Sequence, residues 1–361
     1  MHSKQIESVV NAATGAVQAA RLGVSAIGHG LAMAKGLEVK HAIKQVDRLL
    51  SNKKLDVWEF FEVWVPYVVG GRSEILVALD WTEFDRDDQS TIALHMLTSY
   101  GRATPLLWKT VVKSELAGWR NAHEDCLLNR LREVLPEDVQ VTVLADRGFG
   151  DSKLYELMRQ LRFDYVIRFR ENISVEDQHG ESRPAAEWLT PSGRAKMLRE
   201  ACVTDEGHPV PAVVCVKAKG MKDAWCLATS RDELNASAVV KLYGRRFTIE
   251  ESFRDQKDLR FGMGLSQTRI SKPERRDRLL LISGLVIALL TMLGAAGEIL
   301  GMDRMLRANT VKYRTHSLFR QGCMLFDLLG TMRSDKKRRL LYRFGKLMHE
   351  QAFCSQAFGW I

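Results

Sequence analysis

Nineteen consecutive residues without a charge, LLLISGLVIALLTMLGAAG from Leu279 to Gly297, set the first constraint on the fold. A run of that length must be hidden from water, either in a bilayer or at the centre of a large core. It is the sole run of its kind, it is rich in Gly and Ala, and Arg275, Arg276 and Arg278 crowd its start. A buried core helix is the expectation, and a membrane span the alternative. A chain of 361 residues has room for the wide core, and for two or three domains, that such a helix needs.

The strand pattern supplies that core. EILVALDW, TIALHMLTSYG and TPLLWKTVVK, from Glu74 onward, are aliphatic and β-branched runs with turn residues between them. They read as consecutive antiparallel strands. SELAGWRNAHEDCLLNRLREVL then reads as a helix ended before Pro136, VQVTVLAD as a strand, DSKLYELMRQLR as a helix and FDYVIRFR as a strand. The order β-β-β-α-β-α-β, followed later by a long helix, implies an α/β fold with a mixed sheet and helices on both faces. Residues 5 to about 68 read as helical, and residues 171 to about 235 as a β-rich insertion. The chain divides accordingly into a helical region (1–70), a core in two parts (71–170 and 236–300), the insertion (171–235) and a basic helical C-terminal region (301–361).

The formal net charge is +9, and twelve Lys or Arg against two acids lie between Arg304 and Lys346. That block is a solvated basic helix or a surface for an anionic partner. The six cysteines include no C-x-x-C pair, so neither a zinc site nor a disulfide framework is expected. No charged-then-apolar leader pattern opens the sequence, and a cytoplasmic location is the expectation.

Two strands deliver carboxylates. ILVALD stops at Asp80 and VTVLAD at Asp146. Each is either a helix-cap or turn aspartate, or part of a site at strand ends. YGRRFTIEESFRDQK supplies a third acid. On a helix turning about 100° per residue, Tyr243, Arg246, Glu250 and Lys257 form one narrow polar stripe. Glu251 is the rival acid but lies off that stripe. Three carboxylates can hold two Mg²⁺ ions, which prefer oxygen ligands. Two such metals clamp the attacking and leaving oxygens of a phosphodiester displacement.

These residues carry a resemblance. The chain resembles a DDE transposase of a bacterial insertion sequence, from the family marked by a Tyr-x2-Arg-x3-Glu-x6-Lys signature. Tyr243, Arg246, Glu250 and Lys257 match it without a gap. ALDWTEF and LADRGFGDSKLYELMRQLRFDYVIRFR are similar to the first- and second-aspartate blocks. The resemblance implies an RNase H-like core with a β insertion, and Asp80, Asp146 and Glu250 as ligands of two Mg²⁺ ions, for which Mn²⁺ substitutes. It implies cleavage at each element end, a hairpin intermediate, and attack of the freed 3′-OH on target DNA. It implies phosphate contacts from Tyr243, Arg246 and Lys257, and two protomers pairing the DNA ends. Arg168 and Arg170, alternating on FDYVIRFR, are either backbone contacts or exposed strand-end charges. Trp225 is either a core tryptophan or the ring that stacks on a flipped base. An RNase H-like nuclease or resolvase that cuts without joining would use the same acids, and an inactive DNA-binding relative would keep the same surface.

Overall fold

The computed structural model describes residues 3–98, 102–204, 206–259 and 262–349. Four helices open the chain: α1 (Ser3–Ala19), α2 (Val24–Lys35), α3 (Val39–Ser51) and α4 (Val57–Val69). The side chain of Asp56 caps α4 by accepting from the Trp58 N–H at 2.8 Å. Next come β1 (Glu74–Phe84), β2 (Gln89–Leu97), β3 (Ala103–Val112), α5 (Arg120–Val134), β4 (Gln140–Ala145), α6 (Ser152–Leu161) and β5 (Asp164–Phe169). This is the order read from the sequence. β1, β2 and β3 pair antiparallel, while β4 pairs parallel with both β1 and β5.

The insertion contributes β6 (Ser174–Glu176), β7 (Ser182–Pro184), β8 (Lys196–Val203), β9 (His208–Val216) and β10 (Trp225–Thr229). These strands do not form a separate layer. One ten-stranded sheet runs in the order β3-β2-β1-β4-β5-β10-β9-β8-β6-β7. The join is antiparallel pairing of β10 with β5, Cys226 opposite Phe169.

After the sheet follow α7 (Ala236–Gly244), α8 (Thr248–Lys257), α9 (Pro273–Ile299), α10 (Leu318–Leu328) and α11 (Ser334–His349). α9 contains the uncharged run. It passes the length and hydropathy test for a membrane span, yet 89 % of its apolar window is buried inside the fold. It packs against α1, α3, β3 and α10. One contiguous apolar core reaches from Val9 in α1 through Leu79 and Val143 to Phe319 in α10, so the N-terminal helices share the core of the sheet. α9 and α10 meet backbone to backbone: a Cβ on Gly322 would run into the Leu290 carbonyl, and one on Gly294 into the Leu318 carbonyl.

The sequence reading differs from the structure at three places. β1 does not stop at Asp80 but continues to Phe84, because β2 still pairs with it there. The helix expected over Tyr243–Lys257 is two helices joined by a 3-10 turn at Arg245–Phe247. The C-terminal region is not helical throughout, since Arg307–Ser317 carries no helix. Its last residues, 350–361, lie outside the described residues.

Candidate active site

Strand register brings the aspartates together. Leu79 lies opposite Ala145 in the parallel β1–β4 pair, so Asp80 and Asp146 are the next residues along adjacent strands. β4 ends at that point while β1 runs on, and both carboxyls stand where the sheet opens. Each aspartate satisfies its local backbone with one oxygen. Asp80 Oδ1 accepts from the Trp81 N–H at 2.9 Å, and Asp146 Oδ1 accepts from the Arg147 N–H at 2.7 Å. Asp146 thus caps the 3-10 turn Arg147–Phe149, as the turn reading held, while its other oxygen is turned to the site.

Arg246 is the centre of the cluster. Its side chain is 4 % exposed. Nη2 lies 2.9 Å from Asp80 Oδ2 and 3.7 Å from Asp146 Oδ2, and Nη1 lies 3.3 Å from Glu250 Oε1. All three acids therefore face one guanidinium. Glu251 does not join them; it pairs with Arg254 and, at 3.6 Å, with Arg102. Burial pushes the Asp80 carboxyl up to about 6; Arg246 and the Trp81 amide pull it down, and Asp146 and Glu250 push it up. So the cost of burial at Asp80 outweighs the attraction of the arginine.

The signature residues separate into two groups. Tyr243 is fully buried and donates its hydroxyl to Asp146 Oδ1 at 3.3 Å. Burial, then the Asp146 charge, raises its pKa above the usual phenol value. Lys257 lies further along β1, donating to Thr82 Oγ1 at 3.1 Å and to the Glu83 carbonyl at 2.7 Å. Burial lowers its pKa, against the attraction of Asp85. The four residues do not lie on one continuous α-helix, since a 3-10 turn, which advances about 120° per residue, separates α7 from α8.

Trp225 is half-buried, with its ring 4.9 Å from that of Tyr243 and 5.8 Å from that of Phe247. Phe247 is 41 % exposed and completes an aromatic wall beside the acids. The sequence reading missed it, although its place between Arg246 and Glu250 was the available signal. Arg168 is held in place by donating to the Ala224 carbonyl at 3.0 Å, with Asp146 at 3.8 Å and Asp223 at 3.9 Å. Arg170 is exposed and lines a cavity with Arg147, Arg168, Asn172, Asp223 and Ala224. Arg147 was also missed, and its signal was the residue directly after Asp146.

Five strands in the order 3-2-1-4-5, with aspartates at the open ends of the two central ones and a helix bringing a third acid, define an RNase H-like domain of the nucleic-acid-processing class. The family model of the transposase DDE domain matches residues 72–289, and the chain belongs to that family. It is a transposase, of a family of nucleic-acid-cleaving enzymes that act on DNA and generally use divalent metals. Among curated proteins none matches the chain.

Proposed function

We propose that the protein is a cut-and-paste transposase that binds the inverted-repeat ends of an insertion sequence, cuts them and joins the freed 3′-OH ends to target DNA. Asp80, Asp146 and Glu250 are the catalytic carboxylates and the ligands of two Mg²⁺ ions, with Mn²⁺ as a substitute. The donor type suits such ions, being three carboxylates that converge on one guanidinium. With that guanidinium between them, no three acids among the described residues stand close enough together to hold an ion, so loading requires Arg246 to give way. Bound there, the ion pair would supply Lewis acidity to an in-line phosphodiester displacement.

The chain's own residues hold the DNA. Arg246 exchanges the acids for a phosphate, which its guanidinium can grip by two N–H groups. Lys257 presents a point charge from the rim, and Tyr243 fixes the Asp146 carboxylate. Arg168 and Arg170 contact the backbone, and Trp225, backed by Phe247, stacks on an unpaired base during the hairpin step. The helical region 1–70 and the basic region 301–361 bind the repeats. Two protomers pair the element ends, and the protein works in the cytoplasm, on the nucleoid.

The observation that carries this reading is the meeting of three sequence-distant acids around Arg246. The test is purified protein with end-repeat DNA and Mg²⁺. Nicked, hairpin and strand-transfer products are expected, and Asp146→Asn should reduce all three to background. Normal cleavage by Asp146→Asn would overturn the carboxylate assignment. Cleavage without transfer would select the nuclease or resolvase reading.

A further inference from the structure

The strand that carries Trp225 is entered through a turn with three lysines that the proposed chemistry does not use. The β9–β10 hairpin closes through residues 217–224, with Lys217, Lys219 and Lys222 all exposed. Its turn is defined. Met221 N–H donates to the Ala218 carbonyl at 3.1 Å, and Gly220 takes φ 92°, where a side chain is strained. The base of the turn is close-packed, since a Cβ on Gly193 would come within 2.9 Å of the Lys217 carbonyl.

The turn is tied to the active site at its far end. Asp223 and Ala224, at the end of the turn, line a cavity together with Arg147, Arg170 and Glu171. Arg168 also lines it, donating to the Ala224 carbonyl and lying 3.8 Å from Asp146. Among the described residues, Arg147, Arg170, Lys217, Lys219 and Lys222 have no acid within ion-pair distance, whereas the surface arginines Arg130, Arg159 and Arg231 are each paired. Arg147 and Arg170 line the cavity and the three lysines lie on the turn that leads into it. With Glu171 and Asp223 the acids in the lining, cations outnumber acids along this stretch, which suits an external polyanion.

We infer that the hairpin tip Lys217–Lys222 is a phosphate clamp for the DNA backbone next to the scissile phosphate, continuous with the Arg147–Arg170 cavity. This rests on the transposase reading, and the test separates the two. Lysine ammoniums are point charges that tolerate any base sequence, so the clamp contributes affinity and register but no sequence choice.

The test uses the full chain and the triple variant Lys217→Ala, Lys219→Ala, Lys222→Ala, with the triple Lys→Arg variant as the charge-retaining control. Equilibrium binding is measured across a salt series on end-repeat duplex and on unrelated duplex. Hydroxyl-radical footprinting reports which phosphates are covered. Loss of three contacts is expected to flatten the slope of log K against log salt by about 2 to 3 on both duplexes. Protection should disappear at two or three phosphates beside the cut and persist elsewhere, and the Arg variant should behave as wild type. Unchanged slopes in a variant with unaltered thermal unfolding would overturn the clamp while leaving end cleavage by wild type intact. Protection lost uniformly along the duplex would overturn its placement. A flattened slope in a protein that never cuts end-repeat DNA would leave the clamp standing and sink the transposase reading instead.

Discussion

Arg246 and Arg276 are both hidden from water, at 3 % and 0 % exposure, but their surroundings differ. Arg276 donates Nη2 to Asp87 Oδ2 at 2.5 Å and Nε to Gln89 Oε1 at 2.6 Å, and its guanidinium lies 3.8 Å from the Phe84 ring centre. Its partners are themselves fixed. Asp87 accepts from the Ile270 N–H at 3.1 Å, and Gln89 donates to the Ile270 carbonyl at 2.8 Å. One cation meets one anion, through two of its nitrogens, while Nη1 is buried without a hydrogen-bond partner. Arg246 faces three anions, of which Asp146 also lies 3.8 Å from Arg168, and Glu250 is 56 % exposed at the open side. The Arg276 pair matches one charge with one inside the core, whereas the Arg246 cluster keeps more acids than bases and is open to water.

The comparison breaks most visibly if Arg276 is removed. Arg276→Met strands a buried carboxylate and should cost about 3–5 kcal/mol in urea unfolding. A loss below about 1 kcal/mol would mean that Asp87 does not depend on Arg276 for its charge. His95 sharpens the contrast, as a buried base with no counter-ion among the described residues, packed 5.1 Å from the Phe253 ring. Burial holds its pKa down to about 3, below the 6.5 of the unfolded chain. The neutral form is therefore the folded one, and stability should fall as pH drops below 6.5. The slope is about 1.4 kcal/mol per pH unit, or roughly 2 kcal/mol between pH 6.5 and 5. His95→Phe should flatten that limb in denaturation curves taken across the pH range.

Arg246→Gln should behave unlike Arg276→Met. Its stability loss should be the smaller and should be recovered in millimolar Mn²⁺. Without DNA, Mn²⁺ should bind about tenfold tighter than to wild type, because no internal cation competes; that is about 1.4 kcal/mol by calorimetry. Equal or weaker Mn²⁺ binding would show that the arginine does not occupy the metal's place. The smallest effect belongs to Glu251→Gln. Its partners lie at the surface, so stability should change by less than about 0.5 kcal/mol and cleavage should survive. Glu250→Gln, one position earlier, should lose cleavage.

Much of this was legible in the sequence because local signals carry it. Aliphatic alternation marked β1 to β5, and the fixed spacing from Tyr243 to Lys257 marked the helical acid. What escaped was long-range or fine in angle. The pairing of Cys226 with Phe169 joins segments far apart in the chain, and no local pattern distinguishes a strand that extends a sheet from one that starts another. The 3-10 turn at Arg245–Phe247 changes the angle per residue without changing composition, so two helices read as one. Arg276 read as part of a basic cluster flanking an apolar run. Only its contact with Asp87, 189 positions away, makes it an interior residue.

The unbroken sheet has a metric consequence. β4, which leads into Asp146, and β9, which leads into the lysine turn, are separated by three strand-to-strand steps. At about 4.8 Å each, these make a fixed offset near 14 Å, or the rise of about four base pairs. Hydrogen-bonded strands span that gap without a flexible tether, so a grip at the lysine turn would stand at a set distance from the carboxylates. Lengthening the turn would extend its reach, but the spacing between grip and cut would stay as the strand count dictates.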